Sequence, residues 1–329
     1  MTNIILTGGC GFIGFHFIFH VMKNTDWNII IIDKLSYASL GLKRLKDPDL
    51  DMYKDRIKLF TWDLCNPISE GLEIEIGNDI QYIIHMAAET HVNNSINEPS
   101  YVIKNNIMST VNILEFSRKI KNLEKFVYFS TDEVYGPALN GKLFKENERH
   151  NPTNPYSASK SGAEKICISY HNSFQLPLIV VNVMNAFGEM QHIEKFIPLC
   201  VKKILNNEEI NIHCYPDMKK SGTRFYIHGR NIACGVIFLL DKGIIGENYN
   251  LTGEKEISNL DLAKFIAKIL NKELKYKLIC DDSDRPNHDL RYGLDGTKLN
   301  ELGWKLPLNF EDSLKNTIIW ISKNLNFYE

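Results

Sequence analysis

Three places in the chain combine residue types with a spacing that chemistry needs. The first is the run Gly8-Gly9-Cys10-Gly11-Phe12-Ile13-Gly14, in which both a GxGxxG and a GxxGxxG reading fit. Glycines so placed permit a tight turn, let backbone N–H groups approach a pyrophosphate, and bring a following helix close to the strand before it. The second is Tyr156-Ser157-Ala158-Ser159-Lys160, whose Tyr and Lys stand four apart and so share one face of a helix. A phenol ordinarily loses its proton near pH ~10, so a neighbouring ammonium and a positively charged nicotinamide are expected to lower Tyr156 into the range of a usable base. The third is Thr131-Asp132-Glu133, two adjacent acids after a hydroxyl. Alone, such a pair reads as a solvated loop or a helix cap. Directly after a strand, at the end where doubly wound folds build their sites, it reads as paired acid and base.

Positioning these groups requires alternating strands and helices, and the chain has them. Short apolar, β-branched runs at 3–7, 28–33, 58–62, 82–86, 126–130 and 178–182 predict strands, and 12–23, 100–118 and 157–173 have the length and apolar spacing of crossover helices. Continuous rather than alternating hydrophobicity predicts strands buried on both faces, hence an α/β, Rossmann-type doubly wound parallel sheet. The second strand ends at Asp33, 19 residues after Gly14. A carboxylate there accepts hydrogen bonds from ribose hydroxyls and repels a 2′-phosphate, which favours NAD over NADP. Beyond residue 182 the alternation fades and prolines punctuate the chain, so a smaller α/β substrate-binding domain is expected. We assign 1–182, with 226–251 returning, to the NAD-binding domain, and 183–225 and 252–329 mainly to the smaller one. The segment 214–223, CYPDMKKSGT, reads as an exposed loop.

Composition excludes several classes. The 329 residues carry 38 Lys+Arg against 40 Asp+Glu and are 44% hydrophobic, an ordinary globular profile without the basic footprint of a nucleic-acid binder. No apolar run approaches the ~20 residues of a membrane helix, so no membrane partner is expected. Seven scattered cysteines without a CxxC pair predict neither a metal site nor a disulfide framework, and indicate a cytoplasmic protein with reduced thiols.

Eight segments in order, GGCGFIG (8–14), DKLSYAS (33–39), HMAAETHVNNS (85–95), STDEVYG (130–136), NPYSASK (154–160), EKFIP (194–198), DRPNHD (284–289) and ELGW (301–304), resemble the extended short-chain dehydrogenase/reductases. Specifically, they resemble the nucleoside-diphosphate-glucose 4,6-dehydratases, the dTDP-glucose and UDP-glucose enzymes, nearly end to end. The resemblance implies a closed redox cycle with NAD: oxidation of the sugar at C4, loss of water across C5 and C6, and reduction at C6. It makes Tyr156 the base for the C4 hydroxyl, Glu133 the base at C5, Asp132 the acid for the C6 hydroxyl, Thr131 the group that polarises the C4 oxygen, and Lys160 a binder of the nicotinamide ribose. It further implies NAD contacts at Gly8, Gly11, Phe12, Ile13, Gly14, Asp33, Lys34, Leu35, Ser36, Asp63, Leu64, Met86, Ala87, Ala88, Thr90 and Asn105, together with Tyr156 and Lys160. Nucleotide-sugar contacts carry over to Thr90, Thr131, Asn185, Lys195, Phe196, His213, Arg224, Asn250, Asp284, Arg285 and His288, with Arg224 and Arg285 as diphosphate partners. A homodimer is implied as well. The family pattern is broken at Phe15, Ala186, Glu189 and Asn287, none of them catalytic. The rival readings are a nucleotide-sugar C4-epimerase or decarboxylase, which needs no Asp132-Glu133 pair, and a non-catalytic NAD-binding sensor, which needs neither that pair nor Tyr156 and Lys160.

Overall fold

Aliphatic runs become strands here because helices cover both faces of the sheet they form. In the computed structural model, which describes residues 2–280 and 289–328, β1 (Asn3–Thr7), β2 (Asn28–Asp33), β3 (Ile57–Thr61), β4 (Tyr82–His85), β5 (Lys125–Thr131) and β6 (Leu178–Val183) lie within a residue of the expected bounds. Later in the chain come β7 (Asn185–Phe187), β8 (Ile210–His213), β9 (Thr223–His228), β10 (Asn248–Leu251), β11 (Glu256–Ser258) and β12 (Tyr276–Ile279). The main sheet has seven strands in the order β10-β6-β5-β4-β1-β2-β3, and every pairing in it is parallel. Strand order reverses between β1 and β4. The crevice beyond their carboxyl ends is where such sheets bind ligands.

The helices are α1 (Phe12–Asn24), α2 (Glu70–Ile76), α3 (Val92–Asn97), α4 (Pro99–Ser117), α5 (Pro155–Phe174), α6 (Phe196–Leu205), α7 (Gly229–Lys242), α8 (Asn259–Leu270), α9 (Thr297–Glu301) and α10 (Phe310–Lys323). One core joins Ile4, Leu6, Ile29 and Ile31 to Phe17 and Val21 of α1 and Val236 and Leu239 of α7. Across the sheet, Ile5, Ile83, Phe126 and Tyr128 pack with Ile113 and Leu114 of α4 and Ala163 and Cys167 of α5. Alternate residues of β1 thus enter opposite cores, the period-two geometry of a strand. A third cluster brings together Val201, Ile212, Leu262, Ile266, Leu314 and Ile318, next to the small sheets β11-β9-β7 and β12-β8.

The segment 214–223 is only partly the exposed loop its composition predicts. Cys214 and Ser221 form an antiparallel bridge and are buried, and Tyr215 N–H donates to Lys220 C=O at 2.9 Å. Residues 216–220 alone form the exposed tip.

Candidate active site

The glycine run closes into a tight turn at the carboxyl end of β1. Gly8 has φ +72°, its N–H donates to Ile32 C=O, and its C=O accepts from Gly11 N–H, both at 3.0 Å. A Cβ on Gly8 would lie 2.9 Å from the Ala87 backbone, and one on Gly14 would lie 2.5 Å from Gly8 C=O, so neither position accepts a side chain without backbone movement. Helix α1 begins at Gly11 with no side-chain cap and no acidic residue in its first turn. Its unpaired N–H groups and positive dipole end remain available to an anion. Asp33 ties the end of β2 to this turn, accepting from Cys10 N–H at 3.0 Å and Leu35 N–H at 2.8 Å. Burial raises its carboxyl above the ordinary range, against the pull of those bonds.

A cleft of about 370 Å³ runs from this turn to the ends of β4, β5 and β6. Every residue expected at the cofactor lines it except Leu35, which has φ +55° and packs on the core beside α1. The glycine cradle, the open helix end and Asp33 beside them fit a dinucleotide.

At the other end of the cleft, β5 delivers Thr131 into a 3-10 turn over Asp132–Tyr135. The Thr131 hydroxyl accepts from Glu133 N–H at 3.3 Å and donates to Asp132 Oδ1 at 3.1 Å, while Asn185 Nδ2 donates to Asp132 Oδ2 at 3.3 Å. Asp132 is buried, and burial first, then the Glu133 charge, push its carboxyl up to about 7. Glu133 is more open, and accepts from Asn154 Nδ2 at 3.3 Å and Tyr292 Oη at 3.4 Å. Helix α5 is started by a capping box between Asn154 and Ser157, with Pro155 in its first turn. That start sets the rotation which turns Tyr156 and Lys160 into the cleft.

The expected lowering of Tyr156 by its lysine is not what the geometry gives. Burial, then the Glu133 and Asp132 charges, raise the phenol, and only the hydrogen bond with Thr131 opposes them. Lys160 is itself pushed down to about 8 by burial, with Nζ 4.4 Å from the centre of the Tyr128 ring. Spacing placed both groups on one face, but burial outweighs their mutual effect.

All five expected catalytic residues line the cleft, as do Thr90, Asn185, Lys195 and Phe196. His213, Arg224 and Asn250 do not, and Asp284, Arg285 and His288 lie outside the described residues. Arg224, expected on a diphosphate, instead donates to the backbone carbonyls of Thr223, Leu290 and Asp289 at 2.8, 2.7 and 2.6 Å and lies over the Tyr292 ring. It holds the chain that brings Tyr292 to Glu133. Asn250 braces Phe144 C=O and Asp295 C=O in the same way.

Two functional supports have no motif in the reading above. Arg44, fully buried, donates to the carbonyls of Cys10, Ala38, Ser39 and Met190 at 2.8–3.0 Å, clamping the glycine turn to two loops. Glu164 is also buried, accepting from Ser130 Oγ at 2.7 Å and Asn182 Nδ2 at 3.3 Å. Its spacing after Tyr156 and Lys160 was a signal: positions 156, 160 and 164 share a helix face. His85 is closed off between Thr7 Oγ1 at 2.7 Å and Thr110 Oγ1 at 3.0 Å, and burial lowers it to about 3, a structural neutral histidine.

A glycine cradle at the switch point, facing a Thr-Asp-Glu turn and a Tyr/Lys helix face, defines a dinucleotide-dependent α/β enzyme acting on a small substrate. The chain belongs to the GDP-mannose 4,6 dehydratase family, whose model matches residues 5–317. The dTDP-D-glucose 4,6-dehydratase of Dictyostelium discoideum is 36% identical over 378 residues, which cover 100% of this chain and 83% of that protein. A trifunctional UDP-glucose 4,6-dehydratase/UDP-4-keto-6-deoxy-D-glucose 3,5-epimerase/UDP-4-keto-L-rhamnose-reductase of Arabidopsis thaliana is 34% identical over 98% of this chain, which spans 47% of that protein's length. Among solved structures, the dTDP-glucose 4,6-dehydratase of Bacillus anthracis in complex with NAD superposes with a TM-score of 0.87 at 30% identity, over 100% of this chain and 99% of the other.

Proposed function

We propose that this protein converts a nucleoside-diphosphate glucose, dTDP-glucose and/or UDP-glucose, into the corresponding 4-keto-6-deoxyglucose by NAD-dependent 4,6-dehydration. The observation that carries this is the pairing of a buried Asp132, whose proton is held to about pH 7, with the more open Glu133 one residue later. A carboxylic acid still protonated near neutrality can donate to a departing hydroxyl, and an adjacent carboxylate can take a carbon-bound proton. An epimerase or decarboxylase has no use for that pair, and a silent sensor has no use for any of it.

The residues divide the work. Tyr156 receives the proton of the C4 hydroxyl, and Thr131, hydrogen-bonded to it, orients that oxygen. When bound, NAD supplies the hydride acceptor at C4, the donor at C6, and a positive ring charge that opposes the upward push on Tyr156. Once C4 is a ketone the C5 proton is acidic; Glu133 takes it and Asp132 gives its proton to the C6 oxygen, which leaves as water. Glu133 then returns a proton to C5. Residues 183–225 and 252–329 are assigned mainly to the sugar nucleotide.

The closing test uses sugar nucleotides deuterated at C4, incubated in D₂O, with the product read by NMR. Label moved to C6 and solvent deuterium at C5 are the expected outcome; an intact skeleton or inversion at C4 would overturn the assignment. A homodimer is the proposed assembly, supported by exposed Tyr101, Ile103 and Met108 on α4 and Phe174 on α5, and a monomer in sedimentation would refute it. Among the described residues no helix is long and apolar enough to cross a membrane, and all seven cysteines are free, which supports a cytoplasmic location.

A further inference from the structure

The end of β2 sends a mixed message about the dinucleotide. Asp33 and Lys34 are consecutive, and both line the cleft. An acid at this place accepts from the adenosine ribose and disfavours a 2′-phosphate, whereas a cation near it accommodates that phosphate. Selectivity therefore depends on where the Lys34 charge is spent.

We propose that Glu89 is a specificity-determining residue, which by engaging the Lys34 ammonium keeps the cleft selective for an unphosphorylated adenosine ribose. The inference rests on the NAD reading above. Lys34 Nζ lies 2.8 Å from Glu89 Oε1, and donates to Asn105 Oδ1 at 2.7 Å and Tyr101 Oη at 3.0 Å. An ammonium has three protons, and these three partners use all of them. Tyr101 Oη passes its own proton to Glu89 Oε1 at 3.2 Å, closing a ring around the charge.

The carboxylate is set in place before any ligand arrives. Glu89 is 7% exposed. Its N–H donates to Asn106 Oδ1 at 2.8 Å, its C=O accepts from Asn106 Nδ2 at 3.0 Å, and Asn106 is fixed in turn by Ser159 Oγ at 2.9 Å on α5. Glu89 also lies in the wall of the cleft. A rigid carboxylate at that wall turns Lys34 from a phosphate-seeking cation into half of a neutral pair, leaving the Asp33 charge to govern the ribose. Asp63 also stands in this end of the wall; the groups around the Lys34 ammonium are Glu89, Asn105 and Tyr101.

The test is competitive binding of NAD⁺ and NADP⁺ to the full chain over a range of ratios, with the retained dinucleotide quantified by chromatography after denaturation. Glu89→Gln preserves shape and removes the charge, and it should shift the ratio of affinities toward NADP⁺ about tenfold or more, equivalent to ~1.4 kcal/mol. Adding Lys34→Gln should return the ratio to the starting value, and Lys34→Gln alone should move it the other way, toward NAD⁺, because it leaves the Glu89 carboxylate unpaired in the wall. An unmoved ratio in Glu89→Gln, or a shift that persists in the double variant, would overturn the proposal. Should Glu89→Gln fail to fold, the double variant still decides: a large loss of NADP⁺ from it relative to the parent would mean the ammonium was never quenched. If the parent protein retains neither dinucleotide, the NAD reading itself fails, a result distinct from retained NAD⁺ with an unmoved ratio.

Discussion

Replacing Asp132 by Asn should make the protein more stable at pH 8 while removing the acid from the site. In the fold this carboxyl holds its proton to about pH 7, against an ordinary value of 3.8. Between those values the folded chain binds a proton that the unfolded chain has lost, so stability falls as pH rises from about 4 and levels off above about 7. The gap is about three powers of ten in proton affinity, and at about 1.4 kcal/mol each this is on the order of 4 kcal/mol of destabilisation at pH 8. Asn has the shape of the carboxyl and no charge. Its Oδ1 can keep the Thr131 hydroxyl as donor, and Asn185 can turn its amide to offer an acceptor, so no new unsatisfied group need arise.

The substitution should therefore raise stability by on the order of 4 kcal/mol at pH 8 and by less than half of that at pH 5, where the folded carboxyl is still neutral but the unfolded one is already ionised. At roughly 2 °C per kcal/mol for a chain of this size, the midpoint of thermal unfolding at pH 8 rises by roughly 5 °C or more. Thermal melts of both proteins, with NAD and without sugar, at pH 5 and pH 8 are the assay. Equal destabilisation at both pH values, or no gain at pH 8, would refute the claim that the buried carboxyl is held protonated at a cost to the fold.

Turnover of the parent enzyme should lose a limb as pH rises through about 7, approaching tenfold per pH unit, because the acid form of Asp132 disappears; a pH profile of solvent-deuterium incorporation at C5 reads this. Tyr156→Phe should retain NAD and lower the oxidation rate by roughly 10²- to 10⁴-fold, measured as single-turnover NADH absorbance. Gly14→Ala should weaken NAD binding severely, since its Cβ meets backbone at 2.5 Å from Gly8 C=O and 2.7 Å from Gly9 Cα; calorimetric titration with NAD checks it. Arg44→Met should cost roughly 3–5 kcal/mol in urea unfolding, because four carbonyls, three of them buried, lose their donor.

What was legible in the sequence followed local rules. The β1 turn could be read because only glycine tolerates Gly8 at φ +72° against Ala87 and Gly14 against Gly8, and a fixed requirement leaves a fixed pattern. β2, NIIIID, was legible because burial on two faces erases alternation. Arg44 was not legible, since a basic residue in LGLKRLKD resembles a solvated helix face and its four carbonyl partners come from three separate segments. Arg224 shows the converse: its residue type fits a phosphate, but three of its five N–H groups go to carbonyls up to 66 residues away. Residue type states what a side chain can bind, and only the tertiary structure states whether its bonding capacity is still open.

The Asp132-Glu133 pair carries that distinction to its limit, because two neighbouring residues of nearly the same chemistry are asked to act in opposite senses. Their peptide neighbours cannot separate them; the 3-10 turn does. With Thr131 as its N-cap, the turn rotates Asp132 inward, beneath Asn185 and away from water, and leaves Glu133 at the cleft with donors from Asn154 and Tyr292. The inward group keeps its proton because burial penalises its charge, and the Glu133 charge, kept close by the shared turn, reinforces that penalty. The Glu133 charge thus helps to define Asp132 as the group that keeps its proton. The 3-10 turn, at three residues per turn, swings consecutive side chains about 120° apart and so into different surroundings, while adjacency in the chain keeps the two carboxyls close enough to couple, which is a physical reason for the acid and the base to be neighbours.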